Sequence, residues 1–175
     1  MYSIVRATEN DSEIISRIGK VSVVESHQGS NPEEVLNQYV DQYYNEQEIK
    51  KQLADPRNNY YLIRYNDQTA GFSNLVLNSR HLNIVRENSA KLDRIYLLKE
   101  FQGLKLGLEL LKFNIDLSKK NNQSGIWLYS WIGNTKAVDF YTRAGFKIIG
   151  RYDFKVTATH SDPSHQMLLD FAEAL

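Results

Sequence analysis

The chain has 175 residues, 42% of them hydrophobic, with 21 basic residues against 21 acidic ones and no cysteine. That length and apolar content suit one domain, 1–175, with a sizeable core, and the balanced charge gives no bulk attraction to nucleic acid or to a membrane. Without cysteine there is no disulfide, thiol nucleophile or cysteine metal site; MYSIVRATEN has no apolar segment of signal-peptide type and no run approaches ~18 apolar residues, so a cytoplasmic setting is expected.

Residues 2–7 alternate well enough for a first strand, and Thr8 to Asp11 offers capping chemistry for a helix. Ile14, Ile15, Ile18, Val21 and Val24 recur near helical spacing, and SHQGSNP collects the turn formers that end it. Asn31-Pro32-Glu33-Glu34 opens a second helix, with proline in the first turn and acids near its positive end. A break near Tyr44-Asn45 is predicted, because Asn45 with Glu48 three residues on can cap a separate helix. Asp55 to Asn59 reads as a loop, and residues 60–65 and 69–77 as a hairpin around Asn66-Asp67-Gln68. Residues 78–90 are polar and unpatterned and read as an exposed connection.

Ile95, Tyr96, Leu97 and Leu98 form a strand-like run that Lys99-Glu100 interrupts, so a helix is predicted to begin near Gln102-Gly103. Along it Leu104, Leu108, Leu111 and Ile115 fall on one stripe and Leu106, Leu110, Phe113 and Leu117 on nearly the opposite one, which requires burial on two sides. Lys105, Glu109, Lys112 and Asp116 make an alternating charged strip between them. A strand running through a glycine-containing turn into a helix leaves up to about four backbone N–H groups unpaired before the positive end of the helix dipole. Such a turn, here Gln102-Gly103-Leu104-Lys105-Leu106-Gly107, suits a pyrophosphate.

Beyond Asn121 to Gly125, residues 126–132 form an aromatic-rich strand, parallel to the one before the helix because a βαβ unit joins them. Asn134 caps a helix that runs to about Ala144 and closes at Gly145. Residues 146–152 and 166–171 supply two last strands, turned at Asp162-Pro163-Ser164.

Residues 102–107 resemble the acetyl-CoA pyrophosphate loop of GNAT-type N-acetyltransferases, whose pattern is Gln or Arg, two variable residues, Gly, one variable residue, then Gly or Ala. Gln102 and Gly107 match, while Lys105 stands at the middle glycine. Residues 134–146, NTKAVDFYTRAGF, resemble the second signature of the same family. The resemblance implies an α/β fold of order β-α-α-β-β-β-α-β-α-β-β, with a mixed, largely antiparallel seven-stranded sheet and helices on both faces. It also implies acetyl-CoA as co-substrate, without a metal, and direct transfer of the acetyl group to an amine in a ternary complex.

Carried over by position, the backbone of Ile95, Tyr96 and Leu97 would meet the pantetheine arm. Gln102, Gly103, Leu104, Lys105, Leu106 and Gly107 would hold the pyrophosphate. Asn134 would hold the arm, and Lys136 and Arg143 would reach the outer part of CoA. Tyr141 would protonate the departing thiolate. Lys105 is read either as a solvated surface charge or as a point charge on the phosphates. Asp93, of the same strand parity as Ile95 and Leu97, is read either as a proton relay or as a carboxylate paired with Arg94 or Lys91; the glutamate that some relatives carry two residues earlier is Lys91 here. The four histidines show no ligand spacing. Trp127 and Trp131 share a strand face, with core packing expected and one of the two available to line an acceptor pocket.

The segments SNPEEV, YVDQYYNEQEIKKQL and LDRIYLLKEFQ resemble PaiA-type polyamine acetyltransferases. Glu33, Glu34, Asp41, Glu46 and Glu48 read as the wet face of helices or as an attraction for a polycation. The small amine therefore stands beside two alternatives, an N-terminal peptide or protein-lysine acetyltransferase and a CoA-binding sensor without turnover. Assembly is open, with a homodimer among the options.

Overall fold

Strand-forming segments gather into one sheet of seven strands, and the computed structural model describes residues 1–173 of the chain. In chain order the elements are β1 (Tyr2–Arg6), α1 (Ser12–Ser26), α2 (Glu33–Tyr43), α3 (Glu46–Ala54), β2 (Asn58–Tyr65), β3 (Gln68–Val76), β4 (Ser89–Leu97), α4 (Leu106–Lys120), β5 (Gly125–Trp131), α5 (Thr135–Arg143), β6 (Lys147–Lys155) and β7 (Ser161–Asp170). The sheet order is β1-β2-β3-β4-β5-β7-β6, and only the β4–β5 pairing is parallel. Ile15, Ile18, Val40, Tyr44 and Ile49 of α1 to α3 pack with Tyr60, Leu62 and Phe72 on one face. On the other, Leu106, Leu110 and Leu111 of α4 and the apolar side of α5 cover Ile63, Ala70, Leu92, Ile126 and Leu128.

Where the elements depart from expectation, local chemistry gives the reason. Thr8 heads a 3₁₀ turn over Glu9–Asp11, with the Asp11 carboxylate accepting the Thr8 N–H at 2.8 Å, and α1 starts only at Ser12. Val21 is 43% exposed, because the buried arc of α1 runs through Ile15, Ile18, Ser22 and Val23, and Val21 lies on the other side. The break between α2 and α3 falls where Asn45 accepts the Glu48 N–H at 2.9 Å. Residues 78–90 are not a free connection: β4 already starts at Ser89, Ile84 is buried, and the Trp127 indole donates to Ser79 O at 2.8 Å. The last hairpin turns at residues 156–160, closed by the Val156 N–H on His160 O, so Asp162, Pro163 and Ser164 lie inside β7 rather than at its turn.

Two features shape the middle of the sheet. β4 and β5 pair only at Ser89–Gly125, Ala90–Ile126 and Lys91–Trp127, after which the strands part while each continues. A bulge in β4, where Leu75 faces Leu92 and Asn74 faces Arg94, leaves Asp93 as an extra residue. Strand parity therefore changes there. Leu92, Ile95 and Leu97 all pack on the α4 face, and Asp93 does not share their side as simple alternation predicts.

Candidate active site

The turn into α4 lies open. A short 3₁₀ turn over Lys99–Phe101 comes first, and α4 begins at Leu106 rather than at Gln102-Gly103. Gly103 has φ +84° and Lys105 φ +61°, so the chain twice takes the left-handed conformation within three residues. Leu104, predicted for a buried stripe, is consequently 46% exposed ahead of the helix. The first amide of this region with an internal acceptor is that of Glu109, which donates to Lys105 O at 3.1 Å. Among the described residues, the N–H groups of residues 103–108 have no acceptor, and they sit at the positive end of a 15-residue helix. Gly107 lets α4 approach β4 closely, since a Cβ there would lie 3.2 Å from Leu97 Cδ1.

Beside this turn the parted strands enclose a cavity of about 500 Å³. Its walls include Ile95, Tyr96, Leu97, Gln102, Asn134, Lys136 and Tyr141, from β4, the turn and α5. Asn134 caps α5, accepting the Ala137 N–H at 3.1 Å, and its amide donates to Ser26 O at 3.4 Å, joining α5 to the end of α1. The Lys136 ammonium donates to Gln102 Oε1 at 3.2 Å, fastening α5 to the turn. Tyr141 packs edge-on against Phe140 and Phe146. Its hydroxyl has no hydrogen-bond partner among the described residues, and burial raises its pKa above the ordinary phenol value.

Residues 17–146 match the acetyltransferase (GNAT) family. The chain belongs to that family. An uncharacterized N-acetyltransferase of Lactobacillus delbrueckii subsp. lactis, encoded in the pepI 3′ region, is 25% identical over 151 residues, which cover 86% of this chain and 87% of that one. Among solved structures, the PaiA N-acetyltransferase of Thermoplasma acidophilum in complex with coenzyme A superposes with a TM-score of 0.78 at 20% identity, covering 98% of this chain and 99% of the other. The Escherichia coli ribosomal-protein-S18-alanine N-acetyltransferase superposes with a TM-score of 0.66 at 19% identity, over 97% of this chain and 94% of that one. This GNAT chain is an N-acetyltransferase that uses acetyl-CoA as its co-substrate. Its open amides and parted strands suit that molecule. No cluster of three or more potential metal ligands occurs among the described residues, and no helix there is long and apolar enough to cross a membrane.

The cavity wall does not hold every residue expected at the site: of residues 102–107 only Gln102 lines it. Arg143 stands exposed on the last turn of α5, outside the cavity wall, because the seven residues from Lys136 carry it roughly 10 Å along the helix. Asp93 lines the cavity, but its carboxylate lies 2.9 Å from Lys91 Nζ and 3.7 Å from Arg94 Nε, so both ion pairs considered for it form. None of Glu33, Glu34, Asp41, Glu46 and Glu48 lines the cavity; Asp41 pairs with Lys20 at 2.9 Å and Glu46 with Lys50 at 3.1 Å on the outer surface.

Residues from α1, α2, β6 and β7 complete the cavity wall and were not legible as site residues. Tyr39, Tyr44, Phe154, His27, Glu25 and Asp162 all line it. Gly19 makes room for Tyr44, whose Cδ1 lies 2.3 Å from where a Cβ would stand. Arg94 sits 4.0 Å above the Tyr44 ring and donates to the Tyr60 hydroxyl at 3.0 Å. Trp127 is buried as core, whereas Trp131 lines the cavity and stacks on His27, centroids 5.8 Å apart and planes 20° apart. The charged residues of the wall are Glu25 on α1, Lys91, Asp93 and Arg94 on β4, Lys99 before the turn, Lys136 on α5 and Asp162 on β7.

Proposed function

We propose that this acetyltransferase moves the acetyl group to a primary amine of a small polycation such as spermidine, by direct transfer in a ternary complex in the cytoplasm. The observation that supports the acceptor class is a cavity wall that carries several tyrosines together with the carboxylates of Glu25 and Asp162. Aromatic faces and carboxylates together attract alkylammonium groups. The T. acidophilum protein of the same fold carries the PaiA name, which agrees with this choice.

Acetyl-CoA, when bound, supplies a thioester carbonyl activated for attack. The amides of residues 103–108, with Gln102 and Lys136 beside them, hold its diphosphate, and Lys105 adds a positive charge at the rim. The backbone of Ile95, Tyr96 and Leu97, no longer paired to β5, meets the pantetheine amides, and Asn134 closes over the arm. Tyr141 keeps its proton at neutral pH because burial disfavours the phenolate, so its hydroxyl can protonate the departing sulfur.

Thiol release from acetyl-CoA with spermidine, a lysine-bearing peptide and a peptide with a free N-terminus tests the reading. Spermidine should be turned over with a kcat/KM at least tenfold above either peptide. A preference for a peptide moves the acceptor to protein. Tight CoA binding without thiol release on any amine identifies a sensor.

A further inference from the structure

We propose that His27, seated on Asp162, is the group that takes the proton from the acceptor ammonium. This rests on the amine acetylation proposed above. An alkylammonium must lose a proton before its nitrogen can attack, and the other candidates on the wall are spoken for. Lys91 is a cation, and Asp93 is held between Lys91 and Arg94. Glu25 lies on the exposed rim of α1.

His27 is built differently. Its Nδ1 lies 3.0 Å from Val23 O, which can only accept, and 2.9 Å from Ser26 Oγ, which can accept because its own hydroxyl donates to Val23 O at 3.1 Å; both contacts favour the ring hydrogen on Nδ1, leaving Nε2 as the free nitrogen. Trp131 stacked on the ring fixes its plane. Nε2 and Asp162 Oδ2 are 3.9 Å apart, too long for a hydrogen bond between them. That gap suits an ammonium nitrogen donating to both at once. Asp162 is 3% exposed at its side chain, and its other oxygen accepts from Asn31. Burial raises the Asp162 carboxyl above its ordinary value, while His27 and hydrogen bonds from Ser30 and Asn31 pull it down. The pair shares the cavity wall with Asn134 and Tyr141. The charged groups on the same wall are Asp162 from β7, Glu25 from α1, Lys91, Asp93 and Arg94 from β4, Lys99 before the turn and Lys136 from α5.

The step balances without a further reactant. One ammonium proton passes to Nε2 and on to solvent, with Asp162 stabilising the imidazolium. The freed lone pair forms the C–N bond, and the C–S bond breaks with its electron pair leaving on sulfur. The sulfur takes the Tyr141 proton, and Tyr141 regains one from the nitrogen as it becomes an amide.

The rival role for this pair is a latch holding the α1–α2 connection to β7, and the test separates the two. With spermidine, or the amine the panel selects, His27→Gln should lower kcat about 100-fold or more at pH 7, leave the KM for acetyl-CoA within about twofold, and recover as pH rises and solvent deprotonates the amine. With 2,2,2-trifluoroethylamine, uncharged at neutral pH, the same variant should match the parent within about threefold. Asp162→Asn should move the acid limb of kcat/KM to lower pH. In the ligand-free parent labelled with ¹⁵N-histidine, adding spermidine should shift the Nε2 resonance of His27. Equal losses on both amines, a His27→Gln variant within about threefold of the parent on spermidine, or an unmoved Nε2 resonance would each overturn the assignment. Should His27→Gln fail to fold, the Asp162→Asn profile and the Nε2 shift decide alone. A parent that releases no thiol with any amine overturns the acetylation reading as well, whereas failure of the variants alone leaves it standing.

Discussion

Lys105→Gly asks one residue two questions at once. Lys105 holds φ +61° and ψ 6°, left-handed geometry at the N-cap of α4. A side chain there costs about 1–2 kcal/mol, while glycine loses about 0.5–1 kcal/mol more backbone entropy than alanine on folding. The difference favours the variant by about 0.5–1 kcal/mol, which for a chain of this size raises Tm by roughly 1–4 °C. Cofactor affinity should move the other way. An ammonium at contact distance from one phosphate charge in water is worth about 1 kcal/mol, so CoA should bind about fivefold more weakly and with a shallower salt dependence. Calorimetric titration of CoA at two ionic strengths, beside a thermal melt, reads both numbers. A variant that melts several degrees lower would refute the backbone argument. Unchanged affinity and unchanged salt dependence would make Lys105 a surface charge only.

Three further substitutions probe other parts of the site. Tyr141→Phe should lower kcat by about 100-fold with CoA affinity within twofold by titration; a fully active variant would remove the phenol from the proton path. Asn134→Ala loses the cap on Ala137 N–H and the link to Ser26 O, so the melt should fall by about 1 kcal/mol and the KM for acetyl-CoA should rise. Gly19→Ala would ordinarily strengthen α1 by about 1 kcal/mol. Here its Cβ would stand 2.3 Å from the Tyr44 ring, so net destabilisation of about 1–2 kcal/mol and a raised acceptor KM are expected; a stabilised variant would show that Tyr44 moves aside freely.

The residues proposed to hold the cofactor could be picked out because they are neighbours in sequence. Gln102 to Gly107 form one turn, and Asn134 to Tyr141 one cap and helix, so local chemistry suffices to read them. What local chemistry could not supply was the left-handed Lys105. The sequence shows a missing glycine, whereas the backbone keeps the glycine's conformation and delays the helix to Leu106. The bulge at Asp93 escaped for a related reason: parity counting assumes one residue per partner, and nothing in LDRIYL marks the extra one.

The acceptor half could not be read from sequence because no stretch contains it. His27 closes α1, Asp162 opens β7, and they meet only because β7 inserts between β5 and β6 and brings the start of that strand to the end of α1. Asp162-Pro163-Ser164 read as turn chemistry, yet the chain had already reversed at residues 156–160, and Asp162 entered the strand with its carboxylate buried. Placing a carboxylate there without a positive partner carries a desolvation cost of several kcal/mol. The Asn31 amide, donating from the α1–α2 connection, offsets part of it. The segment that would select an acceptor is thus fixed by the charge that would receive it. Changes to the acceptor should accordingly alter α1 and β7 together, while residues 102–107 and 134–141, proposed to hold the diphosphate and thioester, stay as they are.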